Sequence, residues 1–179
     1  YTGEHHSIAA FPGMDSKTII LDGFSKSYAM TGWRLGYGIM PPELVPHVVR
    51  LAVNNVSCPA TFSQIAAVAA LDGPQDDVQA MLAEFTQRRR LIADGLRSIP
   101  GINCPEPEGA FYAFPNISGT GLSSAEFEDL AMNEAGVALL SGAGFGEFGE
   151  GYVRLSYANS QENISKALEN LHAMVKHLG

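Results

Sequence analysis

The 179 residues carry a net charge of −8, with apolar residues at 46% and charged residues at 17%. This is the composition of a soluble globular protein with a core of ordinary size; its acidity, with no basic stripe, sets nucleic acid aside as a partner. No apolar run reaches the roughly 18 residues a membrane-spanning helix requires, and no signal-peptide pattern opens the chain, so a cytoplasmic location is expected.

In chain order, residues 18–22 form a β-branched run bounded by turn formers and predict a buried strand. Residues 23–28 follow as a loop at its carboxyl end. Residues 32–40 alternate glycine with bulky side chains, which predicts a second strand, stopped by Pro41-Pro42. A helix is expected over 44–53 and another, rich in alanine, over 64–71, ending at Asp72-Gly73-Pro74. Val78, Met81, Leu82, Phe85, Ile92 and Leu96 recur at helical spacing and predict one long amphipathic helix ending before Pro100-Gly101.

Beyond it the pattern changes. Residues 109–114 predict an aromatic strand between prolines, and Ser123 with Glu126 three positions later is the signature of a capping box. Residues 137–140 and 152–157 predict strands. Ile164, Ala167, Leu168, Leu171, Met174, Val175 and Leu178 predict a final helix with one apolar stripe. Cys58 and Cys104 lack metal-ligand spacing and are read as reduced packing residues.

Lys26 follows the first strand, the place where open α/β sheets put their ligand sites. Phe24, Tyr28, Met30 and Trp33 surround it in sequence. A lysine desolvated among such residues loses part of its proton affinity, and its neutral amine can attack a carbonyl. Eight positions on stands Arg34, a fork-shaped donor suited to phosphate or carboxylate. By residue type alone, a surface lysine and a structural arginine remain the commoner reading.

The segment Ser25-Lys26-Ser27-Tyr28-Ala29-Met30-Thr31-Gly32-Trp33-Arg34-Leu35-Gly36-Tyr37 resembles the signature of the class I and II aminotransferases, fold-type I enzymes that use pyridoxal 5′-phosphate. The resemblance implies that Lys26 is the Schiff-base lysine that holds the cofactor and that Arg34 grips its phosphate. Where some members carry a phosphate-contacting serine this chain has Gly23, and Ser25 is the residue expected to substitute in part. Pro107-Glu108-Gly109-Ala110-Phe111-Tyr112 resembles the small-domain strand of these enzymes. The stretch from Gly144-Phe145-Gly146 to Val153-Arg154-Leu155-Ser156-Tyr157 resembles the segment whose arginine binds the substrate α-carboxylate, a role that falls to Arg154.

The implied fold is α/β, of the pyridoxal-phosphate-dependent transferase type (fold type I). Residues 1–55 would be the end of the large cofactor-binding domain, 56–98 connecting helices including a long interdomain helix, and 99–179 an α+β small domain. The family's Asp-x-x-Tyr pair, which contacts the cofactor ring, does not occur before Lys26, and the chain opens on Tyr1 rather than Met. It is therefore expected to be the C-terminal portion of a longer protein and inactive alone. The implied reaction moves an amino group between an amino acid and a 2-oxo acid, in a homodimer. Alternatives on the same scaffold are a carbon–sulfur lyase or a synthase; a further one is the aminotransferase-like effector domain of a transcription regulator.

Three other patterns carry no site. Residues 144–149 fit G-x-G-x-x-G, but a strand is expected to follow and Glu147 would repel a pyrophosphate. The adjacent His5-His6 pair lacks the spacing of metal ligands, so no metal is expected. Asn55, Asn116 and Asn163 open glycosylation triplets with no other sign of secretion.

Overall fold

The computed structural model describes Tyr1 and residues 3–178. The chain divides into two compact units: one gathers Tyr1–Gly3 with Met81–Gly179, the other is Glu4–Ala80.

The unit Glu4–Ala80 is built on an antiparallel pair, β1 (Ile20–Gly23) and β2 (Gly36–Ile39), in the register Ile20 to Ile39 and Gly23 to Gly36. Two helices follow, α1 (Val45–Asn55) and α2 (Thr61–Asp72). Its small core joins Phe24, Met30 and Ala67, flanked by Tyr28, Leu35, Ala66 and Ala70. The expectation of a buried first strand is corrected here: Leu21 is 79% exposed and Ile19 49%. Among the described residues β1 has one strand neighbour, β2, so its β-branched residues pair along one edge without cover on both faces. The second predicted strand begins later than expected, because Thr31–Trp33 forms a 3-10 turn.

The other unit is a three-stranded antiparallel sheet in the order β3-β5-β4, with β3 Tyr112–Ala113, β4 Leu140–Ser141 and β5 Val153–Ser156. Helices α4 (Ser124–Asn133) and α5 (Gln161–Lys176) pack with it. The long helix α3 (Asp76–Arg97) brings Ile92, Ala93 and Leu96 to the same core. Phe127, Ile117, Leu171, Val153 and Tyr157 are almost fully enclosed there; each large apolar side chain so buried contributes about 1.5–3 kcal/mol. The predicted stripe on the last helix reaches this core through Ile164, Leu171, Met174 and Val175. Leu178 lies past the helix end and is exposed. Gly95 lies where α3 meets α5, and a Cβ there would require the Leu168 side chain to move aside.

The middle arginine of the Arg88-Arg89-Arg90 run is buried. Arg89 pairs with Glu106 at 3.0 Å, donates to the Pro107 carbonyl at 3.1 Å and lies over the Tyr1 ring at 4.7 Å. The Tyr1 hydroxyl donates to the Ala110 carbonyl at 2.7 Å, and Tyr157 donates to the same oxygen at 3.0 Å. Burial, and then the neighbouring Tyr1 hydroxyl, push the Tyr157 phenol well above its ordinary range.

The capping box predicted from Ser123 and Glu126 is present in full. Glu126 Oε2 accepts from the Ser123 amide at 2.9 Å and from its hydroxyl at 2.6 Å, while the Glu126 amide donates back to Ser123 Oγ at 3.3 Å. These bonds, the hydroxyl's first, hold the Glu126 carboxyl below its usual value. A depressed carboxylate contributes stability that is complete above its unfolded pKa and is lost as pH falls through its lower folded value. Thermal denaturation across the acid range is expected to show that Glu126→Gln lowers the melting temperature at neutral pH and flattens its acid decline. Parallel curves for the two proteins would contradict this.

Cys104 is buried and Cys58 exposed, and both thiols are free. The reading of Cys58 as a packing residue is therefore corrected: it lies in the exposed connection between α1 and α2, next to Ser57 with its positive φ of 63°.

Candidate active site

The Lys26 loop is fixed from both ends by apolar burial. Phe24 and Met30 are both enclosed, and the Met30 amide donates to the Phe24 carbonyl at 3.2 Å. Between them the Ala29 amide donates to the Lys26 carbonyl at 3.1 Å, which closes a turn with Lys26 at its head. Ala29 and Arg34 both adopt the left-handed conformation, with φ of 53° and 52°. Such geometry costs a non-glycine residue about 1 kcal/mol or more and clusters at functional sites. Farther along, the Phe24 amide donates to the Leu35 carbonyl at 3.3 Å, so the loop leaves β1 and returns to β2. Tyr28 ties it to the end of α2 through Gln75, at 3.4 Å.

The lysine predicted to be desolvated is exposed in this chain, as are Arg34 and Trp33, while Ser25 is half-buried. Burial of Phe24 and Met30 orders the backbone beneath Lys26 without covering its side chain. The Arg34 guanidinium donates from Nη1 to the Thr31 carbonyl at 3.2 Å. It borders a cavity of about 770 Å³ that is also lined by Trp33, Cys58, Phe62 and Ser63; Trp33 and Phe62 meet edge to face with centroids 6.4 Å apart. Next to the loop, Tyr37 donates to Asp22 Oδ2 at 3.4 Å across the strand pair. Desolvation first, then the Asp22 carboxylate, raise the Tyr37 phenol above its ordinary value.

The donor set of this loop fits pyridoxal phosphate by its chemistry. An amine can condense with the aldehyde, a guanidinium suits the phosphate dianion, and the Ser25 hydroxyl makes no other side-chain hydrogen bond among the described residues. The three come from ten consecutive positions, so one loop carries all of them.

Arg154 belongs to the unit containing Met81–Gly179. It stands on the central strand β5, opposite Leu140, while Val153 and Leu155 on the alternate face enter the core. Its guanidinium lies 4.5 Å from the centroid of the Tyr112 ring and 4.5 Å from that of Phe145. The register explains the first contact: Tyr112 pairs with Ser156, two residues beyond Arg154 on the same face, a diagonal that long and aromatic side chains span. Sequence reading placed Tyr112 in a strand but missed its pairing with Arg154; the signal was the shared parity of 112, 154 and 156 once the two strands are set antiparallel. Phe145 arrives from the 3-10 turn Gly142–Phe145, which is followed by Glu147–Gly149 and then by β5. The G-x-G-x-x-G stretch thus forms tight turns before a strand, with no helix for a dinucleotide.

No group of three or more His, Cys, Asp or Glu side chains is placed to hold a metal ion among the described residues. No helix among them is long and apolar enough to cross a membrane.

Comparison with known proteins agrees with this architecture. The chain is 42% identical over 175 residues to an aspartate aminotransferase of Pyrococcus abyssi, covering 97% of this chain and 45% of that protein. It is 43% identical over 175 residues to an aromatic-amino-acid aminotransferase of Thermococcus litoralis, with the same coverage. The crystal structure of an aromatic aminotransferase from Pyrococcus horikoshii superposes with a TM-score of 0.93 at 42% identity, over 98% of this chain and 47% of that one. An aspartate aminotransferase from Rhizobium meliloti gives 0.91 at 36%, over 98% and 46%. The chain thus spans somewhat less than half the length of these relatives, and the fold is that of the fold-type I aminotransferases. Residues 2–171 match the family described as aminotransferase class I and II, and the chain belongs to that family.

Proposed function

We propose that the whole protein is a pyridoxal-phosphate-dependent aminotransferase that moves an amino group between an amino acid and a 2-oxo acid, with Lys26, Ser25, Arg34 and Arg154 at its active site. The observation that carries this reading is the pinned loop of residues 25–34, where buried Phe24 and Met30 and two left-handed residues present one amine and one guanidinium from a single turn. Relatives named for aspartate and for aromatic amino acids support the amino-acid class of substrate.

In this reading Lys26 Nζ attaches the cofactor and Arg34, helped by Ser25 Oγ, holds its phosphate. When bound, pyridoxal phosphate supplies an electron sink beside the substrate α-carbon. Lys26 Nζ would also serve as the base that moves a proton at the substrate α-carbon. Arg154 grips the substrate carboxylate through two parallel hydrogen bonds and so fixes which bond at the α-carbon faces the lysine. The enzyme works as a homodimer in the cytoplasm; the exposed apolar side chains of α1 and α2, Leu51, Phe62 and Ile65 among them, support an assembled form.

The chain contains four lysines, Lys17, Lys26, Lys166 and Lys176. Treating the whole protein with pyridoxal phosphate, reducing with borohydride and mapping the product by mass spectrometry is expected to place the modification on Lys26 at low cofactor. Label spread over several lysines, without preference for Lys26, would overturn the assignment.

A further inference from the structure

Arg154 is half-buried, yet no hydrogen bond or ion pair joins its guanidinium to any described residue. A guanidinium removed from water without a carboxylate partner is costly to hold. Its described side-chain partners are the two rings, Tyr112 and Phe145, at equal distances of 4.5 Å. We infer that Tyr112 and Phe145 are positioning residues that set how tightly the substrate carboxylate is bound, an inference that rests on the reading of Arg154 as the carboxylate-binding residue.

The physical basis is geometric. A guanidinium is planar and weakly hydrated, so aromatic rings can take the place of water over its faces. Cation–π attraction there adds to this hold, most strongly where water is excluded. Covering the faces leaves the edge, where all five N–H donors lie, as the direction for hydrogen bonding. That edge matches the two oxygens of a carboxylate in one plane. The rings therefore hold the side chain in a single orientation before substrate arrives, so less rotamer freedom is lost on binding.

Each ring has its own support. Phe145 meets Phe114 edge to face at 6.0 Å, and Phe114 stacks on Tyr152 at 5.3 Å. Tyr112 lies against Phe111, centroids 4.7 Å apart, and Phe111 lies against Phe85. Both rings are nonetheless partly open, Tyr112 at 36% and Phe145 at 50%. Substitutions there are therefore expected to leave the unit folded, which the melting curve of each variant checks.

The test uses the whole protein loaded with its cofactor, with KM and kcat measured for L-aspartate and L-phenylalanine. Leucine keeps the apolar bulk and removes the ring. Tyr112→Leu and Phe145→Leu are each expected to raise KM about fivefold while kcat changes less than about twofold. Tyr112→Phe and Phe145→Tyr, which keep a ring, are expected to restore KM to within about twofold of the unsubstituted protein. Unchanged KM in both leucine variants, or a loss confined to kcat, overturns the inference. Arg154→Ala separates it from the reading beneath: if that variant raises KM steeply and the leucine variants do not, only the inference fails. If Arg154→Ala leaves KM unchanged, the assignment of Arg154 fails instead.

Discussion

Lys26→Ala in the whole protein is expected to lower the rate of transamination by about four orders of magnitude, with the protein still folded. One amine is asked to do two things, to attach the cofactor and to move the α-proton, and positioned proton transfer alone accounts for about 10²–10⁴ in rate. Folding is spared because Lys26 is exposed and its turn is held by Phe24, Met30 and the backbone bonds around them. Lys166→Ala, on α5 and outside the proposed site, serves as the control and is expected to retain its rate. A steady-state assay showing near-normal turnover for Lys26→Ala would end the case for Lys26.

The largest expected effect on stability is at Gly149. Gly142 and Gly149 are both buried and their backbones touch: a Cβ on either would collide with the carbonyl oxygen of the other, and one on Gly142 would also lie 2.6 Å from the Tyr152 carbonyl oxygen. The Gly142 amide donates to Tyr152 at 2.8 Å and the Tyr152 amide to Gly149 at 3.2 Å, so the contact closes the loop that carries Phe145. Backbone meets backbone here, with no flexible side chain to move aside. Gly149→Ala is therefore expected to cost about 3 kcal/mol, a drop of about 10 °C or more in the melting temperature of a unit this size. A shift of only a degree or two by calorimetry would show that the two glycines do not meet.

Much of this architecture was legible in the sequence, and the exceptions have physical reasons. The capping box and the helices expected over 44–53, 64–71, 78–96 and 164–178 were read from spacing and residue type and are found over 45–55, 61–72, 76–97 and 161–176, while the family came from the resemblance carried by residues 25–37. These are local signals, and the structure keeps them. The predicted strand over 109–114 shrinks to Tyr112–Ala113 because Ala110 takes a positive φ of 59° and its carbonyl serves two tyrosine hydroxyls instead of a ladder. Nothing near Ala110 in sequence announces partners 109 and 47 residues away.

Burial was the weaker inference throughout. The run at 18–22 has the composition of a central strand, but composition records what a strand can tolerate on its faces, not what covers it. Arg89 shows the converse, a buried charge in the densest positive run of the sequence. Its Glu106 and Tyr1 partners come from distant parts of the chain. The pairing of Arg154 with two aromatic rings lies between these cases. Tyr112 follows from strand register once the sheet order is known, whereas Phe145 depends on the tight turns closed by the two glycines.

The placement of Tyr1 has a consequence for chain connectivity. Tyr1–Gly3 belongs with Met81–Gly179, and the whole of Glu4–Ala80 intervenes as a tether. While the tether is intact, the Tyr1 ring meets Arg89 as part of the same molecule, at a high effective concentration fixed by the linking chain. A single backbone cut in the exposed stretch 54–60 would leave every contact of Tyr1 chemically unchanged and yet make its seat on Arg89 and Ala110 a bimolecular one. The two pieces would then be held by the contacts between them, the core of Phe24 and Met30 with Ala67 among these, so the seat of Tyr1 in the nicked protein is expected to depend on concentration more than it does in the uncut chain.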